Sequence, residues 1–306
     1  MKLVTFTMGN APPRAGALID GGRRVLDLQA AYGRVYHGAS PLLASVLAMI
    51  EAGEEALEVA GQLLETAATA GVALGREEVR LLAPVPQPPQ MRDFLCFEKH
   101  LVQAFRAIGS EPPRAWYERP IFYHPSRFSV CGPEAEVPWP AYCEKLDFEL
   151  EFGCYIGRPG KDIPKERARS HIFGYTIFND FSARDEQAKE MAGSLGPGKG
   201  KDFDNANAMG PCLVTADEIG DPYRLEMAVR VNGEEWGRGN SRDMHWKFED
   251  CIAHAARSET LHAGEFFGSG TVGNGCGLEQ MRFLEPGDVV ELEVEGIGVL
   301  RNRVVR

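Results

Sequence analysis

The sequence predicts an α+β protein, mostly β with a minority of helix. A small N-terminal α/β unit (1–84) precedes a larger, strand-rich unit (88–306). Three observations carry this. The proline-rich stretch Ala83-Pro84-Val85-Pro86-Gln87-Pro88-Pro89 is a stiff connector that divides the chain. Beyond it strands dominate, separated by Gly and Pro turns, without the regular strand–helix alternation of a parallel βαβ fold. A length of 306 residues at 44% hydrophobic content suffices for a large core.

Taken in order, residues 3–6, 16–19 and 24–28 read as short strands, the last two joined by a turn at Asp20-Gly21-Gly22. Ser40-Pro41 is a helix start, with Ser at the N-cap and Pro in the first turn. Leu42, Val46, Met49 and Ile50 fall on one face, and Gly53 ends that helix. Residues 54–68 read as a second helix and 79–82 as a strand. Past the connector, strands are predicted at 121–123, 148–156, 172–178, 211–214, 225–231 and 289–294, and helices at 98–108, 183–192 and 247–258.

The net charge of −11, from 33 basic and 44 acidic residues, argues against nucleic acid or an anionic membrane as partner. The seven cysteines form no CxxC pair and are odd in number, which reads as reduced thiols in a cytoplasmic protein. No stretch approaches ~18 apolar residues, the length of a membrane span. The start lacks the basic-then-apolar pattern of a signal peptide.

The strongest chemical signal is Leu146-Asp147-Phe148-Glu149-Leu150-Glu151-Phe152. Residues two apart on a strand share a face. Asp147, Glu149 and Glu151 therefore stand together with no Lys or Arg between them. A divalent ion relieves their repulsion, and oxygen-only donors suit Mg²⁺, Ca²⁺ or Mn²⁺ rather than Zn²⁺. The bland alternative is the solvated face of an amphipathic strand.

A second signal is the apolar strand that runs into Asp180, followed by Ser182 and a helix in which Arg184 and Gln187 share a face. Asp180 at a strand end suits a metal ligand; the alternative is that Asp180 and Ser182 cap the helix. Asp93 and His100 follow the connector, an acid and a His seven apart. The loop 196–204 carries Lys199 and Lys201, which can close over an anionic ligand.

Two nucleotide motifs fail on context. Residues 268–273 match GxGxxG but run into Asn274-Gly275-Cys276-Gly277, which does not open a helix. Residues 193–199 match the start of a P-loop, but Gly200 replaces Ser or Thr and a helix precedes it. The alternating Glu291, Glu293 and Glu295 read as a solvated strand face.

In combination these segments resemble the fumarylacetoacetate hydrolase family over residues 88–306. The motifs are LDFELEFGCYIG at 146–157, FGYTIFNDFSARDEQ at 173–187, KDFD at 201–204 with a following Gly-Pro, GSGT at 268–271, and PGDVVELEVEGIGVLRNRV at 286–304. The resemblance implies a β-roll catalytic domain, a smaller N-terminal domain and a homodimer. It implies a Mg²⁺ or Ca²⁺ site at Glu149, Glu151 and Asp180, completed by Asp93. It implies that His100 is the catalytic base, paired with Glu279. Arg184, Gln187 and Lys201 match positions that stabilise developing negative charge, and Thr271 a substrate-contacting position; Tyr123 is a candidate pocket residue.

There are departures from the family pattern. A pocket Tyr is replaced by Leu95, a Glu found in smaller members by Gln103, and the family's Arg clamp is Arg114, Arg119 or Arg127.

The implied activity is metal-dependent hydrolysis of a carbon–carbon bond in a 1,3-dicarbonyl or 2,4-dioxo acid. The metal would polarise the substrate oxygens and His100 would activate water. The alternative is decarboxylation or keto–enol isomerisation of a 2-oxo acid at the same site. Retention of His100 with Glu279 favours hydrolysis, because decarboxylation and isomerisation do not need an activated water.

Overall fold

The computed structural model describes residues 1–66, 71–107 and 109–306. The ends of two predicted helices, residues 67–68 and 108, lie outside the described residues. The N-terminal strands Lys2–Thr7, Arg14–Ile19 and Arg24–Asp27 form an antiparallel meander. Asp27 then caps a helix, Leu28–Tyr36, by accepting from the backbone N–H of Ala30 at 3.0 Å. That helix escapes the sequence reading because its buried face has only Leu28 and Ala31. Ser40 and Pro41 open a 3₁₀ turn instead of the predicted helix. The α-helix Val46–Ala52 starts one turn later, capped by Ser45.

The N-terminal strands are not a separate sheet. Lys2–Thr7 pairs with Asn207–Thr215, with Leu3 opposite Leu213. The large sheet runs on from there through Ile172–Asp180, Leu150–Ile156, Phe266–Gly268 and Met91–Phe94 to Phe122–Tyr123. The connector is pinned beneath it, where Thr5 Oγ1 donates to the Pro84 carbonyl at 2.6 Å. The sheet therefore crosses the boundary proposed at 84–88.

A second sheet joins Glu234–Asn240, Glu226–Val231, Val289–Val294, Gly298–Val305 and Glu136–Pro138. Leu150, Phe152, Cys154 and Ile156 pack with Val229 and Leu292 of this second sheet in one core. Tyr155 points the other way, into a core shared with Phe266, Met209 and the helix residues Met49, Ile50 and Leu63. Covered on both faces, Leu150–Ile156 and Ile172–Asp180 are buried along their whole length. A solvated strand face at 146–152 is thereby overturned. Glu291 and Glu293, by contrast, are half-exposed as read. The result is an α+β fold in which two sheets form a β-roll; among the described residues three α-helices precede the connector and six follow it.

Candidate functional site

Three strands aim four carboxylates at one point. Asp93 stands on Met91–Phe94, opposite Gly268 in the neighbouring parallel strand. Gly268 is required there, since a Cβ at that position would sit 2.3 Å from Asp93 Oδ1. The sequence match to GxGxxG thus has a local cause: its first glycine makes room for an acid. Glu149 lies just before Leu150–Ile156, Glu151 within it, and Asp180 at the end of Ile172–Asp180. One carboxylate oxygen from each of Asp93, Glu149, Glu151 and Asp180 lies within 4.8 Å of the others, and all four residues are buried.

Glu151 Oε2 and Asp180 Oδ1 are buried without a hydrogen-bond partner among the described residues. Buried acceptors are rarely left so. Their chemistry, four convergent oxygens, fits a hard divalent cation at coordination distance. The cluster could hold such an ion. Ser182 does not cap the following helix: its Oγ donates to the Asp180 carbonyl, and Ala183 occupies the cap without a side-chain bond. Helix capping therefore does not explain Asp180.

Two buried cations balance part of the charge. Lys201 Nζ donates to Glu149 Oε2 and to Asp180 Oδ2, each at 2.6 Å. Arg184 donates from Nη2 to Glu149 Oε1 and from Nε to Asp147 Oδ2, both at 2.8 Å, and from Nη1 to Gln187 Oε1 at 3.0 Å. The glycine-rich loop explains Lys201: the 3₁₀ turn Gly198–Gly200 ends by turning it inward.

Five acids, counting Asp147, thus face two cations, and the excess shows in their protonation. Burial, reinforced by the Asp180 charge, pushes Asp93 well above the carboxylate range. Burial and the charges of Asp93 and Glu149 do the same to Glu151. Asp180 is pushed up to about 6, by burial against the pull of Lys201. Burial alone would also raise Glu149, but Lys201 and Arg184 outweigh it and hold that carboxyl well below the usual range. The upward shifts of Asp93 and Glu151 mark where a divalent ion would compete with protons.

Sequence reading placed Asp147 with Glu149 and Glu151 and missed its actual partners. Its carboxylate accepts from Arg184 and from the backbone N–H groups of Gly277 and Leu278, at 2.7 and 2.9 Å. Alternation alone cannot distinguish a ligand from the clamp that orients an arginine.

His100 lies on the helix Glu98–Ala107, and its Nδ1 is 3.0 Å from Glu279 Oε1. Cys276, which pairs with Glu149 in an isolated antiparallel bridge, carries its Sγ 3.9 Å from the same Nδ1. Glu279 Oε2 accepts from the backbone N–H of Cys276 at 3.2 Å, so both ends of that carboxylate are engaged. With its amide nitrogen turned toward Glu279, Gln103 sits 3.0 Å from Oε1. Tyr123 donates to Asp180 Oδ2 at 2.6 Å, and Thr271 Oγ1 lies 3.4 Å from Glu151 Oε1. Of the arginines considered for a substrate clamp, Arg114 is 93% exposed and pairs with Glu118, and Arg119 is exposed. Arg127 is half-buried beside Ser126, whose N–H donates to Asp202 Oδ1 next to Lys201.

A family model described as fumarylacetoacetate (FAA) hydrolase, C-terminal, matches residues 90–305. The chain belongs to the fumarylacetoacetate hydrolase family. A mitochondrial oxaloacetate tautomerase of Xenopus laevis is 33% identical over all of this chain and 90% of its own length. Oxaloacetate tautomerase YisK of Bacillus subtilis is 32% identical over 94% of this chain and 95% of its own. Among solved structures, a fumarylacetoacetate hydrolase from psychrophilic Exiguobacterium antarcticum superposes with a TM-score of 0.78 at 28% identity, covering 100% of this chain and 99% of that one. A probable 2-hydroxyhepta-2,4-diene-1,7-dioate isomerase from Mycobacterium abscessus gives 0.77 at 25% identity, covering 100% and 98%. Among the described residues no helix is long and apolar enough to cross a membrane.

Proposed function

We propose that this protein is a divalent-cation-dependent keto–enol tautomerase of a small 2-oxo diacid of the oxaloacetate class. The observation that carries the reading is the pairing of a buried His100–Glu279 couple with a cluster of four acids, in a chain matched end to end by oxaloacetate tautomerases. The isomerase alternative thus finds more support than hydrolysis.

The argument that a His–Glu pair favours hydrolysis does not hold. Moving a proton between carbon and oxygen needs a base as much as activating water does.

Asp93, Glu149, Glu151 and Asp180 would hold the ion, Mg²⁺ by preference for an all-oxygen site, with Ca²⁺ or Mn²⁺ as alternatives. Once bound, the ion would supply Lewis-acid polarisation of the 2-oxo oxygen. His100, its Nδ1–H directed at Glu279, presents Nε2 as the base. Nε2 takes a proton from C3; the C–H electrons form the C2–C3 double bond, and the carbonyl oxygen acquires the negative charge. The imidazolium then returns the proton to that oxygen, giving the enol; the reverse sequence gives the ketone.

Lys201, Arg184 and Gln187 place donors around the developing oxyanion. Thr271 and Tyr123 border the same space and would contact the substrate. A homodimer in a reducing compartment, cytoplasmic or mitochondrial, accompanies this reading.

The test is loss of enol absorbance from freshly dissolved enol oxaloacetate, with Mg²⁺ and with a chelator. Accelerated, Mg²⁺-dependent decay without new acids or CO₂ supports tautomerisation. CO₂ release would instead indicate decarboxylation. No effect on oxaloacetate, with cleavage of an acylpyruvate, would return the reading to hydrolysis.

A further inference from the structure

We infer that Cys276, together with His100 and Glu279, forms a second cation site, selective for a thiophilic ion such as Zn²⁺, and that filling it switches the enzyme off. The inhibition rests on the base role proposed above for His100; the binding does not.

Cys276 has no part in the tautomerase chemistry, yet its thiol is buried against the base. His100 Nδ1 is 3.9 Å from Cys276 Sγ and 3.0 Å from Glu279 Oε1. One donor atom from each of the three residues lies within 4.8 Å of the other two. Around a tetrahedral zinc, with Zn–N and Zn–S bonds of about 2.0 and 2.3 Å, neighbouring N and S donors stand roughly 3.5 Å apart. The trio is therefore within a few tenths of an ångström of a zinc-binding arrangement for that pair.

A sulfur, an imidazole nitrogen and a carboxylate also make up the three-ligand, open-position donor set that zinc accepts. The neighbouring cluster offers oxygens only, so the two sites sort ions by donor chemistry, hard from thiophilic.

The backbone holds the trio in place. Cys276 pairs with Glu149 in an isolated antiparallel bridge, and its N–H donates to Glu279 Oε2. Leu150 N–H is bonded to the Gly275 carbonyl at 2.9 Å. On binding, the Cys276 thiol proton leaves to solvent as the metal–sulfur bond forms. The His100 proton passes through solvent from Nδ1 to Nε2, so Nδ1 becomes the ligand, its bond to Glu279 is lost, and Nε2, now an N–H, has no lone pair to accept a proton. The ring is then drawn toward a positive ion and stops acting as a base.

The probe is Cd²⁺ added to Mg²⁺-loaded protein, read by sulfur-to-metal charge-transfer absorption. The expected result is a band that saturates at one equivalent and disappears in Cys276→Ser. It persists in the Cys96→Ser, Cys251→Ser double variant, which removes the other close thiol pair, 3.6 Å apart. Cys276→Ala serves if the serine form does not fold.

In parallel, Zn²⁺ inhibits the Mg²⁺-dependent tautomerase, and Cys276→Ser keeps its uninhibited turnover. That variant shifts the inhibitory Zn²⁺ concentration by more than the roughly 10- to 100-fold that loss of an outer-shell partner costs a metal site. A band unchanged in Cys276→Ser, or abolished in the double variant, overturns the site. A Cys276-dependent band with no inhibition upholds the site and overturns the base role of His100 instead.

Discussion

Replacing Lys201 with methionine removes a buried charge and keeps most of the side-chain volume. Its ammonium lies 2.6 Å from both Glu149 Oε2 and Asp180 Oδ2, and all three residues are buried. Breaking a buried ion pair by deleting one partner costs about 3–5 kcal/mol, because the remaining charge lacks water. Protonation caps the loss: a carboxyl of ordinary pKa near 3.9 takes up a proton at pH 7 for ~4 kcal/mol.

The sign with pH follows from Glu149, which Lys201 and Arg184 hold below its usual range against the effect of burial. A depressed folded-state value contributes stability above the unfolded pKa, about 4.3, and loses it as pH falls further. The deficit of Lys201→Met should therefore hold from pH 8 down to about pH 5 and shrink only below the unfolded value of about 4.3, measured by urea unfolding without divalent ions. Saturating Mg²⁺ should recover most of it, since the ion replaces the missing charge. Mg²⁺ affinity should rise, because a like charge has left the cluster, while turnover falls. A deficit under about 1 kcal/mol at pH 8, the range of an exposed pair, or weaker Mg²⁺ binding, would refute this reasoning.

Three further outcomes are expected. Glu151 is already pushed well above the carboxylate range by burial and its acidic neighbours. Glu151→Gln should therefore keep the cation-free melting temperature near wild type while losing the Mg²⁺-induced rise, read by calorimetry. Asp93 and Glu151 are both raised, so the folded, cation-free protein holds more protons than the unfolded chain above about pH 4. Cation-free stability should thus fall as pH climbs toward their folded values, and the stabilisation by Mg²⁺ should be larger at pH 8 than at pH 5.5. His100→Gln should lower tautomerase turnover by roughly 10²- to 10⁴-fold, the span of a lost acid–base group, with Mg²⁺ binding by calorimetric titration unchanged; turnover within threefold of wild type would remove His100 from the chemistry.

Much of the site could be read from the chain because its acids obey strand arithmetic. Glu149 and Glu151 lie two apart, and Asp180 closes an apolar strand. What joins them to Asp93 and Glu279 is long-range, and only the resemblance to a known family supplied it. The strand bearing Asp93, Met91–Phe94, is buried on both faces, so its mixed Met-Arg-Asp-Phe pattern has no polar side to betray it. Arg92 is buried there because it pairs with Glu265 and Glu259, partners more than 160 residues away. Phe266–Gly268 was missed for the same reason: three buried residues between loops carry no period. The helix around His100, predicted at 98–108, is found at Glu98–Ala107, whereas the contact of Cys276 with His100 had no sequence signal.

The central claim is that the acid cluster and His100 together enolise a 2-oxo acid, and isotope uptake tests it most directly. Oxaloacetate incubated with the protein and Mg²⁺ in D₂O, followed by proton NMR at early times, should acquire deuterium at C3 faster than the Mg²⁺-only control, and His100→Gln should abolish the excess. Deuterium uptake no faster than that control, with the wild-type protein folded and Mg²⁺ bound, would contradict the account.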